Sequence, residues 1–269
     1  MHLGTCRTLY ISNMSIQIIH GDNLDIMSTF QDGFARLIYI DPPFNTGKVQ
    51  ARADKSYKDS FDNFKDFIVP RIQEAHRLLT DDGSFFIHLD WRECHYVKVW
   101  TDEIFGRENF MNEIIWSFDY GGRSKKKWSA KHNNIFWYAK DSKNYTFNYD
   151  EADRIPYMAP GLVGKDKASK GKVVTDSWWN TIVHTNGKEK TGYPTQKPLK
   201  ILERIVKVHS MPGDMVMDFF AGSGSFGEAA NKHSRDCILI DENPIAIEVM
   251  RRRFEHIDNV IYGLVEGSI

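Results

Sequence analysis

The 269-residue sequence predicts an α/β protein on a doubly wound, mostly parallel sheet, and three observations carry that reading. Short apolar runs of strand length recur along the chain, with stretches of helical spacing between them. Three of the runs end in an acid: Ile40 before Asp41, Met217 before Asp218, and Ile240 before Asp241. A glycine-rich turn, Gly222-Ser223-Gly224, stands between one run and the helical stretch that follows it.

Taken in order, Ile16 to His20 and Ala35 to Ile40 read as strands, and Phe64 to Leu79 as a helix. Ser84 to Leu89, Asn112 to Phe118 and Asn134 to Ala139 supply three further strands. A helix over Leu199 to Val208 precedes a strand over Gly213 to Phe219, and another helix runs through Phe226 to Asn231. Asp236 to Ile240 is the last predicted strand, and Asn243 to Phe254 the last helix. In such a sheet, ligands sit at the C-terminal edges of the strands.

Composition sets bounds. The chain is long enough to bury a substantial core and is near the upper end for one domain. It holds no run of about 18 apolar residues and no basic-apolar leader, so a cytoplasmic protein without membrane contact is expected. Met14 offers an alternative start to Met1. Cys6, Cys94 and Cys237 are scattered, which argues against a disulfide framework or a zinc site, and no metal is expected. Among the ten histidines, His20 and His88 lie in or beside strands and read as structural.

Asp41-Pro42-Pro43-Phe44 places a carboxylate and a rigid turn at the end of a buried strand. Proline fixes its own φ, restricts its predecessor and lacks an N–H, so the carbonyls of the turn are free to accept from a ligand. Carboxylate, carbonyl and aromatic face together suit a flat ring with an exocyclic amino group. An ordinary Asp-Pro turn is the alternative.

Downstream, Asp214 to Asp218 leads through Phe219-Phe220-Ala221-Gly222-Ser223-Gly224 into a helix. Gly222 and Gly224 let the backbone approach a ligand, and the helix N-terminus presents N–H groups to it. Asp241 lies 19 residues after Gly222, the distance at which a βαβ unit offers an acid to ribose hydroxyls. An adenosine-containing ligand is indicated.

These residues resemble the amino-group DNA methyltransferases that use S-adenosylmethionine, in the beta arrangement where the catalytic motif precedes the cofactor motif. Ile19-His20-Gly21-Asp22-Asn23 looks like that family's adenine-contacting segment, and Tyr193-Pro194-Thr195-Gln196-Lys197-Pro198 like the one that introduces the cofactor half. Glu103 to Phe110 and Asn112 to Trp116 are similar to adenine-specific modification subunits of restriction systems. The likeness spans roughly residues 16 to 256. It implies a seven-stranded sheet with one antiparallel strand. It also implies that Asp41, Pro42, Pro43 and Phe44 hold an extruded base, while Asp218, Phe220, Ala221, Gly222, Ser223 and Gly224 frame the cofactor. Asp241 would take its ribose and Asp22 its adenine, with Thr195, Gln196 and Lys197 as further contacts. Phe219 stands where the pattern usually has proline, and Leu239 where it usually has glycine.

Net charge is −1, yet residues 119 to 200 carry 16 Lys/Arg against 8 Asp/Glu. A DNA-facing module needs such an asymmetry, because phosphate neutralisation supplies most sequence-independent affinity. Two loops concentrate it: a flexible stretch with Arg123, Lys125, Lys126, Lys127 and Trp128, and a second with Lys165, Lys167, Lys170 and Lys172. The chain divides into a catalytic half (1–140), a small inserted target-recognition region (141–192) and a cofactor half (193–269).

The resulting expectation is transfer of methyl from S-adenosylmethionine to adenine N6 in duplex DNA by base flipping. Cytosine N4 is the alternative, since cytosine carries the same kind of amino group, and a non-catalytic DNA-binding module with this fold is another. Asp41 favours adenine by resemblance. The insertion is short for target recognition, which admits a homodimer, and the resemblance admits an accompanying restriction enzyme.

Overall fold

The computed structural model describes residues 15–52, 55–184 and 186–264; Cys6 and Met14 lie outside them. The chain runs through β1 (Ile16–His20), α1 (Asn23–Met27) and β2 (Ala35–Ile40), then a hairpin of β3 (Lys48–Arg52) and β4 (Lys55–Asp59). Next come α2 (Phe64–Leu78), β5 (Leu79–Leu89), α3 (Cys94–Phe105), β6 (Phe110–Ser117) and β7 (His132–Ala139). A small ribbon of β8 (Arg154–Ile155) and β9 (Lys172–Val173) carries α4 (Lys165–Lys170) between its strands, and β10 (Ser177–Trp179) follows. The last part alternates: α5 (Leu199–His209), β11 (Met215–Asp218), α6 (Ser225–Lys232), β12 (Asp236–Asp241), α7 (Pro244–Arg253) and β13 (Val260–Leu264).

Strand alternation makes three layers. In β2, Leu37 and Tyr39 belong to the core shared with α5, α6 and α7, whereas Ile38 and Ile40 belong to the core shared with α1, α2 and α3. Both faces of β2 are therefore buried, which is why its sequence is almost continuously apolar. Local chemistry fixes the helix starts. Asp22 caps α1 by accepting from the Leu24 N–H at 2.8 Å, and Asn243 caps α7 by accepting from the Ile245 N–H at 2.9 Å, with Pro244 in the first turn.

The main sheet has the order β10-β6-β7-β5-β2-β11-β12-β1-β13. The seven predicted strands form its uninterrupted interior. Among the described residues, only β7 of this sheet runs antiparallel to its neighbours, pairing that way with both β5 and β6. The count of seven is corrected to nine, because one strand is added at each edge. β10 is three residues long, too short for a period-two signal, and β13 carries a glycine after the last helix. The β3–β4 hairpin also went unanticipated, since few apolar residues mark it.

β2 and β11 are neighbours, but from β2 the sheet grows toward β5 and from β11 toward β12. That divergence is the switch point at which open α/β sheets leave a crevice. Residues 141–192 are tied to the main body. Asn148 Nδ2 donates to the carbonyls of Lys207 at 3.0 Å and Ser210 at 2.8 Å, while Asp153 pairs with Arg204 at 2.9 Å and Lys207 at 3.0 Å. Among the described residues, no helix is long and apolar enough to cross a membrane, and no cluster of His, Cys, Asp and Glu could hold a metal ion.

Candidate active site

Asp41 follows the last residue of β2, and Asp218 and Asp241 close β11 and β12, so three adjacent parallel strands deliver three carboxylates to one edge. They line a cavity of about 360 Å³ together with Tyr39, Phe61, Phe67, Tyr193 and Lys197. That size lies in the range of small-molecule sites.

Of the three, Asp41 is the one with a buried oxygen left over. Its Oδ2 accepts from the Lys197 ammonium, whereas its buried Oδ1 has no hydrogen-bond partner among the described residues. Burial pushes its pKa above the ordinary carboxylate value and outweighs the attraction of Lys197. Lys197 also donates to the Thr195 carbonyl at 3.2 Å and lies 5.3 Å from the Phe44 ring centre. Thr195 holds φ at 57°, a left-handed conformation that turns the chain so that Lys197 reaches Asp41 from a remote part of the sequence. Pro43 lines the cavity. Phe44 stands behind it, packed 6.0 Å from His88.

The glycine turn separates two roles that the sequence reading merged. Gly222, at φ 49°, donates its N–H to Asp241 Oδ2 at 2.7 Å, and a Cβ there would come 3.2 Å from the Tyr193 ring. Gly222 therefore belongs to the cavity wall along with Phe220, Ala221 and Ser223. Gly224, at φ 73°, starts α6, and a Cβ there would come 2.8 Å from Met250 of α7. Its place is helix packing behind the wall. Asp218 accepts from the Phe220 N–H at 2.9 Å, and burial raises its pKa well above the usual carboxylate value, with Asp41 and Asp241 adding to the effect. Asp241 is pushed up to about 6 by burial, opposed by the N–H groups of Asn243 and Gly222.

Asp22 does not line the cavity. Its carboxylate is engaged in the α1 cap and in an ion pair with Arg71 at 2.8 Å, and Asn23 and Arg71 face the cavity instead. Asn23 Nδ2 donates to the Phe219 carbonyl at 2.6 Å, which ties the α1 start to the glycine turn. Gln196 lines the cavity, but its Oε1 accepts from Thr191 and its Nε2 donates to the Glu189 carbonyl at 2.7 Å, so its side chain braces the preceding turn. The two departures from the family pattern are absorbed by packing. Phe219 is fully buried in the core, and Leu239 occupies the space beside Gly227, where a Cβ would meet its Cδ1 at 2.6 Å.

Sequence reasoning missed Tyr39, Phe67, Arg71 and Tyr193 as cavity residues. Tyr39 was the legible one: it lies two residues before Asp41, hence on the same side of the strand. Its hydroxyl meets His88 Nδ1 at 2.9 Å and its ring stacks on Phe226 at 5.5 Å. His88 is satisfied on both nitrogens, with Asn133 at 3.0 Å, and burial holds its pKa well below the ordinary value, so it is a neutral structural histidine as expected.

The two basic loops lie at opposite ends of the sheet. β6 runs in the same direction as β2, so the loop from Phe118 to Lys131, with Arg123 and Lys125 to Lys127, springs from the edge that bears Asp41. It is not a loose loop. Lys131 Nζ donates to the carbonyls of Tyr120, Gly121 (3.2 Å) and Gly122 (3.1 Å), and Ser124 Oγ accepts from the N–H groups of Lys126 (3.1 Å) and Lys127 (3.3 Å). Lys165, Lys167, Lys170 and Lys172 belong to α4 and its ribbon, which enters parallel β10 at the other end and is anchored beside the C-terminus of α5.

A family described as DNA methylase matches residues 35–252. The DNA adenine methyltransferase YhdJ of Escherichia coli K12 is 30% identical over 93% of this chain and 86% of its own length. A crystal structure of an M1.HpyAVI–SAM complex superposes with a TM-score of 0.62 at 22% identity, over 89% of this chain and 98% of that one. The PvuII DNA methyltransferase, described as cytosine-N4-specific, gives 0.67 at 18% identity over 90% and 87%.

Proposed function

We infer that this chain, which belongs to the DNA methylase family, transfers a methyl group from S-adenosylmethionine to the N6 amino group of adenine in duplex DNA. The observation that carries the reading is the buried, unpartnered Oδ1 of Asp41 at a cavity whose other strand ends bear Asp218 and Asp241. An acceptor left unmade in a buried site costs about 1–3 kcal/mol, so a donor that reaches it is strongly favoured. The relative YhdJ, named as an adenine methyltransferase, supports N6 over N4.

The residues fit the cofactor. Gly222 leaves the wall without a side chain, and Asp241 and Asp218 supply carboxylates for ribose hydroxyls and for positive charge. When bound, S-adenosylmethionine supplies a methyl group already activated by the sulfonium charge. The chain's own part is positioning. Asp41 Oδ1 and the Pro42 carbonyl accept the two amino hydrogens and favour a pyramidal nitrogen whose lone pair faces the methyl donor. Asp41, its pKa raised by burial, is also suited to take the proton that the nitrogen sheds after methylation. Lys197 keeps the pair of charges balanced at Oδ2. Pro43 and Tyr39 wall the base site, with Phe44 supporting it from behind.

The same proposal includes the division into catalytic half (1–140), recognition insertion (141–192), which reaches the Asp41 edge in its part after β10, and cofactor half (193–269), a cytoplasmic location, and a homodimer or an accompanying restriction enzyme to supplement the short insertion. Asp22 enters it only as the residue that holds Arg71 and Asn23 in place. Sequencing that reports modified bases, applied to DNA from a host expressing the chain, tests the reading. N6-methyladenine at one recurring site is expected. N4-methylcytosine would move the assignment to the other amino group, and unmodified DNA would leave a binding module.

A further inference from the structure

Trp128 is 98% exposed, although the loop that carries it is pinned by its own hydrogen bonds, with Ser124 N–H donating to Ser129 Oγ at 2.8 Å across the turn. Among the described residues, no aromatic or cation contact involves its ring. A tryptophan that serves the fold buries itself. This one is held out directly after Lys125, Lys126 and Lys127 in the chain, all three exposed, while Lys131 braces the loop from within. Its surroundings are equally pointed: Trp91, half-exposed at the end of the β5 edge, lies 5.0 Å from the Arg92 guanidinium and 6.0 Å from the Lys127 ammonium.

The loop is also close to the chemistry. In the order β6-β7-β5-β2, the strand that launches it stands three strand spacings from the one ending at Asp41, about 14 Å across the sheet. A hydrogen bond of 2.8 Å from Asn45 to Glu93 joins the turn after Asp41 to the segment bearing Trp91. An exposed indole next to a run of exposed lysines matches a stack of bases next to phosphates: the cations meet the backbone and the ring meets π-faces.

Resting on the methyltransferase reading above, we propose that Trp128 is the wedge that enters the duplex when the target base leaves it, stacking on the bases left unpaired or unstacked by the extrusion. Apolar side chains that fill such gaps offset the unstacking that extrusion costs.

The test uses the full chain and oligonucleotides carrying the site found by modified-base sequencing, as a paired duplex and as the target strand alone. W128A should lose about 10-fold to 100-fold in methylation rate on the duplex, the size of one lost stacking contact. It should lose less than about threefold on the single strand, where no stack has to be opened. W128F should recover most of the duplex rate, and 2-aminopurine at the target position should brighten less with W128A than with the wild type. Equal losses on duplex and single strand, or a duplex rate unchanged by W128A, would overturn the wedge. A wild-type chain that methylates neither substrate would instead overturn the methyltransferase reading.

Discussion

Two segments of this protein, residues 121–128 and 164–172, are alike in character, each opening on glycine and rich in lysine, yet the fold sends them to opposite ends of the sheet. The first leaves β6 at the edge that bears Asp41. The second rides on a ribbon that enters β10 at the other edge and is bolted by Asp153 and Asn148 to the end of α5. Charge density alone makes both DNA-facing; strand direction separates them. A basic run acquires a role from the edge at which its strands deposit it, and that depends on which strands are parallel.

The sharpest way to separate chemistry from attachment is Asp41→Ala. Methyl transfer should fall by at least about a thousandfold, because the acceptor that orients the amino group is gone. DNA binding through the 121–128 loop and cofactor binding through Asp218 and Asp241 should persist, which equilibrium titrations of each ligand can check. Replacing Lys125, Lys126 and Lys127 together by Ala should weaken DNA binding by about 10-fold to 50-fold at moderate salt. The slope of log affinity against log salt should drop by up to about 3. Sequence preference should stay as it was, since phosphate contacts position without reading bases.

Proton linkage gives the next effect. Asp241, raised to about 6 by burial, must be ionised to accept fully from ribose hydroxyls, so protons and cofactor compete for it. Cofactor affinity should be level above pH 6 and fall by up to about tenfold per unit as pH drops through that value. In the ligand-free chain the sign is opposite. A carboxylate whose folded pKa is raised binds more protons folded than unfolded, so stability should decline as pH rises from the ordinary carboxylate value toward 6. A cofactor affinity independent of pH between 5 and 7 would remove Asp241 from the ribose. The smallest effect belongs to the far segment. Lys165, Lys167 and Lys170 replaced by Ala should change DNA affinity by less than about threefold, and a loss matching that of the 125–127 variant would erase the distinction between the two edges.

Much of this was legible in the sequence. The seven interior strands are announced by apolar runs because a sheet covered on both faces has few polar positions. The acids at or just past the ends of β2, β11 and β12 were visible for the same reason, each standing at the abrupt end of such a run. Edge strands were not. β10 and β13 are half-exposed, short or interrupted, and they exist because a paired neighbour accepts them. Side-chain assignments failed where local bonding competes with ligand contact. Asp22 reads as a free acid in the sequence, but it sits at a helix N-terminus, where capping and Arg71 claim it. Gly224 reads as a ligand contact, and packing against Met250 accounts for it. The Lys197–Asp41 pair links residues 156 positions apart, and nothing local predicts it.

In the proposed reaction, methyl transfer takes place at the crevice between β2 and β11, with Asp41 holding an adenine amino group. Incubating the protein with duplex DNA and S-adenosylmethionine labelled in its methyl group, then digesting the DNA to nucleosides, measures this directly. Label is expected in N6-methyladenine with the wild-type chain and none with Asp41→Ala, although that variant still binds the labelled cofactor. Label in N6-methyladenine from Asp41→Ala at the wild-type rate would remove Asp41 from the reaction.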